Sequence, residues 1–164
     1  MTNQRWRRAA YTAALLVLIA ACASPAQPAA QENAQPSATA VTQVTALVIR
    51  SSTCSCCHEH EAYMRAAGMH VQSVIQDDLR PVKAAYGVPI EMTSCHTSDI
   101  GGYFVEGHVP MGAIEKLLAE QPDIDGIALP GMPAGSPGMG GVQEGPLVVF
   151  AVKDGDVVGE FASF

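Results

Sequence analysis

Three thiols fall within four residues of this chain, in the run Ser51-Ser52-Thr53-Cys54-Ser55-Cys56-Cys57. Cys54 and Cys57 keep the Cys-x-x-Cys spacing of redox domains, and Cys56 is added between them. Adjacent Cys56 and Cys57 side chains point in different directions, so the three do not suit a single ion. They suit a site in which thiolates bridge several metal ions, and Cu(I) is favoured because sulfur is soft and Cu(I) accepts low coordination. Cys95-His96 forms a second pair of candidate ligands, and His108 lies just before an expected helix in Glu106-Gly107-His108-Val109-Pro110. His58 and His60 follow the first motif, with Cys56 and His60 at i and i+4 on a helix. Both are further candidates, though exposed polar residues on a helix surface are the plainer reading. Met132 and Met139 stand in a Gly/Pro stretch with little core to fill, and thioether sulfur also favours Cu(I). Ordinary loop contacts account for them equally well.

Other uses of these cysteines compete with metal binding. A thiol–disulfide oxidoreductase would use Cys54 and Cys57. A structural disulfide framework is open to an exported protein, but a domain with an ample core hardly needs one. A structural zinc domain would need closely paired ligands at finger spacing, which the sequence lacks.

The elements around these residues suggest how they are positioned. Val44–Ile49 is a β-branched apolar run short enough for a buried strand, and it leads directly into the cysteines. A helix is expected from there to about Ala67, closed by Gly68. Met69–Ile75 alternates as a half-buried strand does, and carries His70 away from any motif. Asp77 and Asp78 offer N-caps to a short helix closed by Gly87, with Pro89 beyond it. The order β-α-β-α implies a parallel sheet with right-handed crossovers. Met92–His96 and Tyr103–Val105 look strand-like, and Pro110 opens a helix with Ile114, Leu117 and Leu118 on one face. Between Gln121 and Gly145 the chain is dense in Gly and Pro, a long loop of the kind that is usually functional. Leu147–Val152 and Val157–Phe161 form a hairpin around Lys153-Asp154-Gly155-Asp156. Cysteines at the first strand–helix junction, followed by a C-terminal hairpin, point to a thioredoxin-like α/β sandwich over residues 43–164. In that position the partial positive charge of the helix N-terminus stabilises thiolate.

The fifth cysteine, Cys22, belongs to a different function. Arg5, Arg7 and Arg8 precede the apolar run Ala9–Ala21, which is too short to span a bilayer, where about 20 residues are needed. The run ends Leu18-Ile19-Ala20-Ala21-Cys22, the pattern of a bacterial lipobox, so residues 1–22 read as a lipoprotein signal peptide and Cys22 as the lipidation site. The lack of Asp after Cys22 resembles lipoproteins sorted onward to the outer membrane, so anchoring to the outer or inner membrane is expected, with the domain facing the periplasm. Residues 23–42, rich in Ala, Pro, Gln, Ser and Thr, read as a flexible tether.

Bulk composition limits the remaining function classes. The 164 residues are 48% hydrophobic, which suits one globular domain with appendages and not a disordered chain. Beyond the leader the acidic residues far outnumber the basic ones, so a nucleic-acid-binding face is not expected. No protein partner can be read from the sequence.

Five ordered blocks resemble the bacterial CopG-type copper-resistance proteins, a periplasmic family distinct from the ribbon-helix-helix repressors of the same name. They are Cys54-Ser55-Cys56-Cys57, Ser94-Cys95-His96-Thr97, Gly102-Tyr103, Glu106-Gly107-His108-Val109-Pro110, and Pro130-Gly131-Met132-Pro133 with Gly135-Ser136-Pro137-Gly138-Met139. The resemblance spans about Val44 to Phe161. It implies a thioredoxin-like fold that holds copper through the Cys-x-Cys-Cys motif, helped by the later Cys-His pair, and a role in periplasmic copper resistance with Cu(I)/Cu(II) interconversion. For this chain the expectation is sequestration of copper outside the cytoplasm, with redox cycling as its extension. Relatives often carry an aromatic residue, commonly Trp, shortly after the last motif cysteine. This chain has His58-Glu59-His60 there.

Overall fold

The first strand, β1 (Thr45–Arg50), is laid down by the expected β-branched run, and its Ala46 and Val48 are fully buried. The computed structural model describes residues 44–164, so the leader, Cys22 and the tether lie outside the described residues. Helix α1 (Ser55–Ala66) follows and stops where the sequence puts Gly68. Gly68 takes a left-handed φ of 93°, its N–H bonds to Arg65 O, and Met69 N–H reaches back to Met64 O. That pair of bonds is a Schellman closure, with the apolar contact between Met64 and Met69 that usually accompanies it. Strand β2 (His70–Ile75) pairs in parallel with β1.

Helix α2 (Arg80–Ala85) is shorter than its signals suggest, and neither aspartate occupies its N-cap, which is Leu79. Asp78 instead accepts from Arg80 N–H at 3.2 Å. Asp77 accepts from the backbone and hydroxyl of Ser52, tying the end of β2 to the turn before α1. Met92–His96 is not a strand either. Ile90–Met92 forms a 3-10 turn, and Ser94 N–H is taken by the Glu106 carboxylate at 2.6 Å, not by a neighbouring strand. Pairing resumes at β3 (Thr97–Ile100), which forms an antiparallel hairpin with β4 (Tyr103–Glu106).

Helix α3 (Met111–Glu120) then crosses to β5 (Gly126–Ala128), a short strand inside the Gly/Pro stretch that carries no periodic signal of its own. β6 (Val148–Lys153) and β7 (Asp156–Ser163) complete the expected hairpin. Its Asp154-Gly155 turn has φ of 54° and 81°, the two left-handed residues of a type I′ turn.

The sheet order is β2-β1-β3-β4-β5-β6-β7. The expected parallel sheet is therefore corrected to a mixed α/β architecture, with only β1–β2 and β4–β5 parallel. Met64 of α1 and Ala113, Ile114 and Leu117 of α3 share one core with Val48, Ile100, Val105, Ile127 and Val149. Phe104 belongs to a smaller cluster with Val88 and Val152. Adjacent strand residues face opposite ways, so Phe104 and Val105 put these clusters on opposite faces of the sheet. Among the described residues no helix is long and apolar enough to cross a membrane.

Register sets the end at which the loops meet. Ile49 stands opposite Thr97, and Thr97 opposite Glu106, while Glu106 is level with Ala128 in the parallel β4–β5 pair. The exit of β1, the approach to β3 and the exits of β4 and β5 therefore share one edge.

The β4–β5 pairing needs the missing side chain of Gly126, since a Cβ there would sit 2.3 Å from Phe104 O and 2.4 Å from its ring. Gly126→Ala should destabilise the domain by about 1–3 kcal/mol in urea unfolding, the usual range for overpacking. A loss below about 0.5 kcal/mol, typical of an unconstrained surface site, would refute this close packing.

Candidate metal centre

Cys54 is the N-cap of α1, and its sulfur accepts the Cys57 N–H at 3.3 Å. The Cys56 sulfur lies 3.5 Å from that of Cys54. Cys54 and Cys57 are joined as a disulfide, and Cys56 and Cys95 are free thiols. Cys95 arrives from the loop before β3, with its carbonyl 3.9 Å from the Cys57 sulfur.

Two overlapping sets of ligand atoms result. The sulfurs of Cys54, Cys56, Cys57 and Cys95 all lie within 4.8 Å of one another, and so do the ligand atoms of Cys57, Cys95, His96 and His108. The first set is all sulfur, two free thiols and the two atoms of the disulfide, and with that bond reduced it suits a soft ion. The second mixes two sulfurs with two imidazoles, a donor set that borderline ions also accept. Cys57 and Cys95 belong to both.

His108 is oriented by the Gly/Pro loop. Its Nδ1–H donates to Pro137 O at 2.6 Å, which leaves the Nε2 lone pair facing the Cys95 sulfur at 2.9 Å. His96 Nδ1 faces the same sulfur at 3.5 Å. The loop itself is pressed onto α1: a Cβ at Gly138 would stand 2.6 Å from His60 N and 2.9 Å from Cys56 O.

The other candidates are placed differently. His60 is fully buried, but its nitrogens meet His96 Nε2 at 3.1 Å and Val109 O at 3.0 Å, and it joins neither ligand set. The His58 side chain is 63% exposed, 3.8 Å from the Glu61 carboxylate and outside both sets. Met132 is exposed on the loop, while Met139 is half-buried one residue beyond the contact of Gly138 with α1. Met64 and Met69 pack in the core, and His70 is exposed on β2.

Sequence reasoning missed the residues that brace this edge. Glu106, at the end of β4, is completely buried. One of its oxygens accepts from Ser94 N–H at 2.6 Å and Lys83 Nζ at 2.5 Å, and the other from Thr97 Oγ1 at 2.6 Å. Ser94 and Thr97 flank Cys95-His96, so one carboxylate fixes both sides of that pair. Next to it, Gly107 has a φ of 81°, and a Cβ there would collide with Leu129 O and the Ser94 side chain. Glu61 on α1 is bound by Arg50 at 2.8 Å, Ser73 at 2.7 Å and Arg65 at 3.2 Å. Burial acts to raise the Glu61 pKa, but these bonds outweigh it and the net shift is downward. A charged residue quoted within a local motif gives no sign that its partners lie on other elements.

Burial sets the protonation of the metal-free site. It lowers His60 to about 4, with the nearby His108 adding to the shift. It lowers His96 well below the usual value, reinforced by His60 and His108, and lowers His108 as well. Burial, followed by the neighbouring Cys56, pushes Cys95 up to about 12. The site is therefore built from neutral imidazoles around a protonated Cys95 thiol.

The fold and this edge define a small α/β domain with sulfur and imidazole ligands gathered at one end of a mixed sheet. Residues 92–139 match the model of a family described as a protein of unknown function, DUF411. That stretch holds Cys95, His96 and His108 and excludes the first cysteine motif. Two solved structures of copper resistance protein copG, its form 2 and form 1, are each 39% identical to this chain. The form 2 match has a TM-score of 0.68 and covers 74% of this chain and 98% of that one. The form 1 match has a TM-score of 0.67, with coverage of 73% and 96%. No curated protein matches the chain. The chain belongs to the CopG-type copper-resistance family.

The depressed imidazoles give the metal-free domain a defined pH dependence. The unfolded chain takes up protons near pH 6.5, whereas folded His60 resists protonation down to about 4. Stability from this source is therefore present above about pH 6.5 and is lost as pH falls toward about 4. Thermal melts followed by circular dichroism should show Tm falling steadily across that window. A flat or rising Tm would mean the cluster is not held neutral.

Proposed function

We propose that this protein binds copper outside the cytoplasm and contributes to copper resistance by sequestering it in a multinuclear, thiolate-rich site. The observation that carries this reading is the pair of ligand sets sharing Cys57 and Cys95 in a member of a copper-resistance family. Cys54, Cys56, Cys57, Cys95, His96 and His108 are the proposed ligands, with Cu(I) favoured by the sulfur-rich half. Met132 and Met139, on the loop over α1, are assigned to the path by which the ion arrives. Shared sulfurs suit bridging, in which one thiolate serves two ions. Binding through all four sulfurs requires the Cys54–Cys57 bond to be open, a two-electron, two-proton reduction that yields two thiols. Cu(I)/Cu(II) cycling at the same residues is the redox extension of this reading. A thioredoxin-like fold is supported by the β2-β1-β3-β4 order, with α1 between the parallel pair β1 and β2.

The test is anaerobic copper titration of the protein reduced with a dithiol, followed by X-ray absorption at the copper edge. More than one Cu(I) per chain in a mainly sulfur environment is expected. Cys56→Ser should remove more than one ion, because bridged ions are lost together. Reduced protein that fails to take copper from a weak competing chelator would defeat the proposal.

The Cys54–Cys57 disulfide at a helix N-terminus favours a second reading, thiol–disulfide oxidoreductase activity. Rapid metal-free insulin reduction would favour that reading over storage.

We also propose export and lipid anchoring through Cys22, with the domain facing the periplasm. Support comes from the lipobox-like run alone. Cys22→Ser should abolish palmitate labelling and release the protein from membranes. Normal processing with continued membrane association would count against the anchor.

A further inference from the structure

His60 is the one fully buried imidazole of the cluster that joins neither ligand set, and its surroundings specify its protonation. Val109 O can only accept, so His60 Nε2, 3.0 Å away, carries the proton. A neutral imidazole has one N–H, which leaves His60 Nδ1 as an acceptor. His96 Nε2, 3.1 Å from that acceptor, must therefore be the donor. His96 then keeps its lone pair on Nδ1, the nitrogen that faces Cys95. All three rings are fully buried, 5.0–5.1 Å apart between centroids, and their nitrogens meet only carbonyls, a thiol and one another, with no carboxylate bonded to them to balance a charge, so the neutral forms are the consistent assignment.

We propose that His60 is a positioning residue that fixes the His96 tautomer and ring, so that His96 offers Nδ1 to the copper site. The inference rests on the copper-binding reading and specifies it at one nitrogen. His60 acts on the metal only through His96, much as a carbonyl or carboxylate behind a ligating imidazole raises its basicity and holds its plane. His108 is held by Pro137 O in the reciprocal manner, through Nδ1, and offers Nε2. The two imidazoles would thus ligate through different nitrogens, each set by a partner outside the ligand sets.

The test compares His60→Asn with His60→Gln in the full chain. Asn places an acceptor near the Nδ1 position and drops the bond to Val109. Gln reaches the Nε2 position, keeps that bond, and leaves a methylene beside His96. A merely structural role predicts that Gln, which retains the backbone bond, is the milder change. Positioning predicts the reverse. Long-range nitrogen–proton NMR of the metal-free protein should place the His96 proton on Nε2 in the wild type and in His60→Asn, and move it in His60→Gln. Cu(I) affinity by chelator competition should fall about 10–100-fold in His60→Gln and stay within about threefold of wild type in His60→Asn. A wild-type His96 proton on Nδ1, or full copper affinity in His60→Gln, would overturn the assignment. If the reduced wild type takes up no copper, the binding reading fails and takes the role of His60 with it. The NMR result would then still report whether the tautomer itself is correct.

Discussion

Candidate sulfur and nitrogen ligands from three distant stretches of this chain meet because β1, β3 and β4 are in register at one edge. Ile49, Thr97 and Glu106 stand level across the sheet, so the residues just outside them, on Cys54, Cys95-His96 and His108, are delivered to a common space. A shift of one residue in the β3 pairing would turn Thr97 to the other face and carry Cys95-His96 away with it. The buried Glu106 carboxylate braces that register, binding Thr97 within its own strand pair and Ser94 and Lys83 beyond it. Such a charge is tolerated only because it is fully bonded. Removing one partner of a buried pair typically costs about 3–5 kcal/mol.

A second carboxylate serves the other half of the site. Glu61 sits on the same helix as the three motif cysteines and is bound by Arg50 of β1 and Ser73 of β2. The helix bearing the thiols is thereby fixed to the two parallel strands, and the loop bearing Cys95 to the two antiparallel ones. Gly138 closes the assembly by letting the Gly/Pro loop touch the first turn of α1 while Pro137 O orients His108. The site is braced on three sides even though every proposed ligand stands at an element end or in a loop.

Much of this was legible in the sequence because it is local. Gly68 marked the end of α1 through its left-handed requirement, and Asp154-Gly155 marked the hairpin through its turn chemistry. The candidate ligands stand out as short Cys and His runs. What local pattern could not supply was the partner of each residue. The i, i+4 spacing to Cys56 makes His60 a candidate ligand, but the imidazole that engages it comes from 36 residues away. Met92–His96 has strand-like composition, yet a carboxylate and not a strand takes its backbone. β5 is three residues long and sits among Gly and Pro, so its pairing with Phe104–Glu106 is visible only in three dimensions.

The electrostatics of the cluster explain why it suits a soft cation and disfavours an anionic resting state. Several thiolates within 4.8 Å of one another would repel strongly in a partly buried site. The metal-free protein avoids this by keeping Cys95 protonated and by joining Cys54 to Cys57. His108 and His96 add no charge, since burial holds both neutral, but they present lone pairs to the same thiol. A proton on Cys95 thus occupies the position where an electrophile bonded to sulfur and flanked by nitrogen would sit. Copper is such an electrophile, and on the proposed reading its arrival replaces that proton and supplies the positive charge that lets neighbouring thiols ionise. On the same reading, each bound ion lowers the cost of deprotonating the next sulfur, and ligands shared between two sets then favour filling as a group over filling one site at a time.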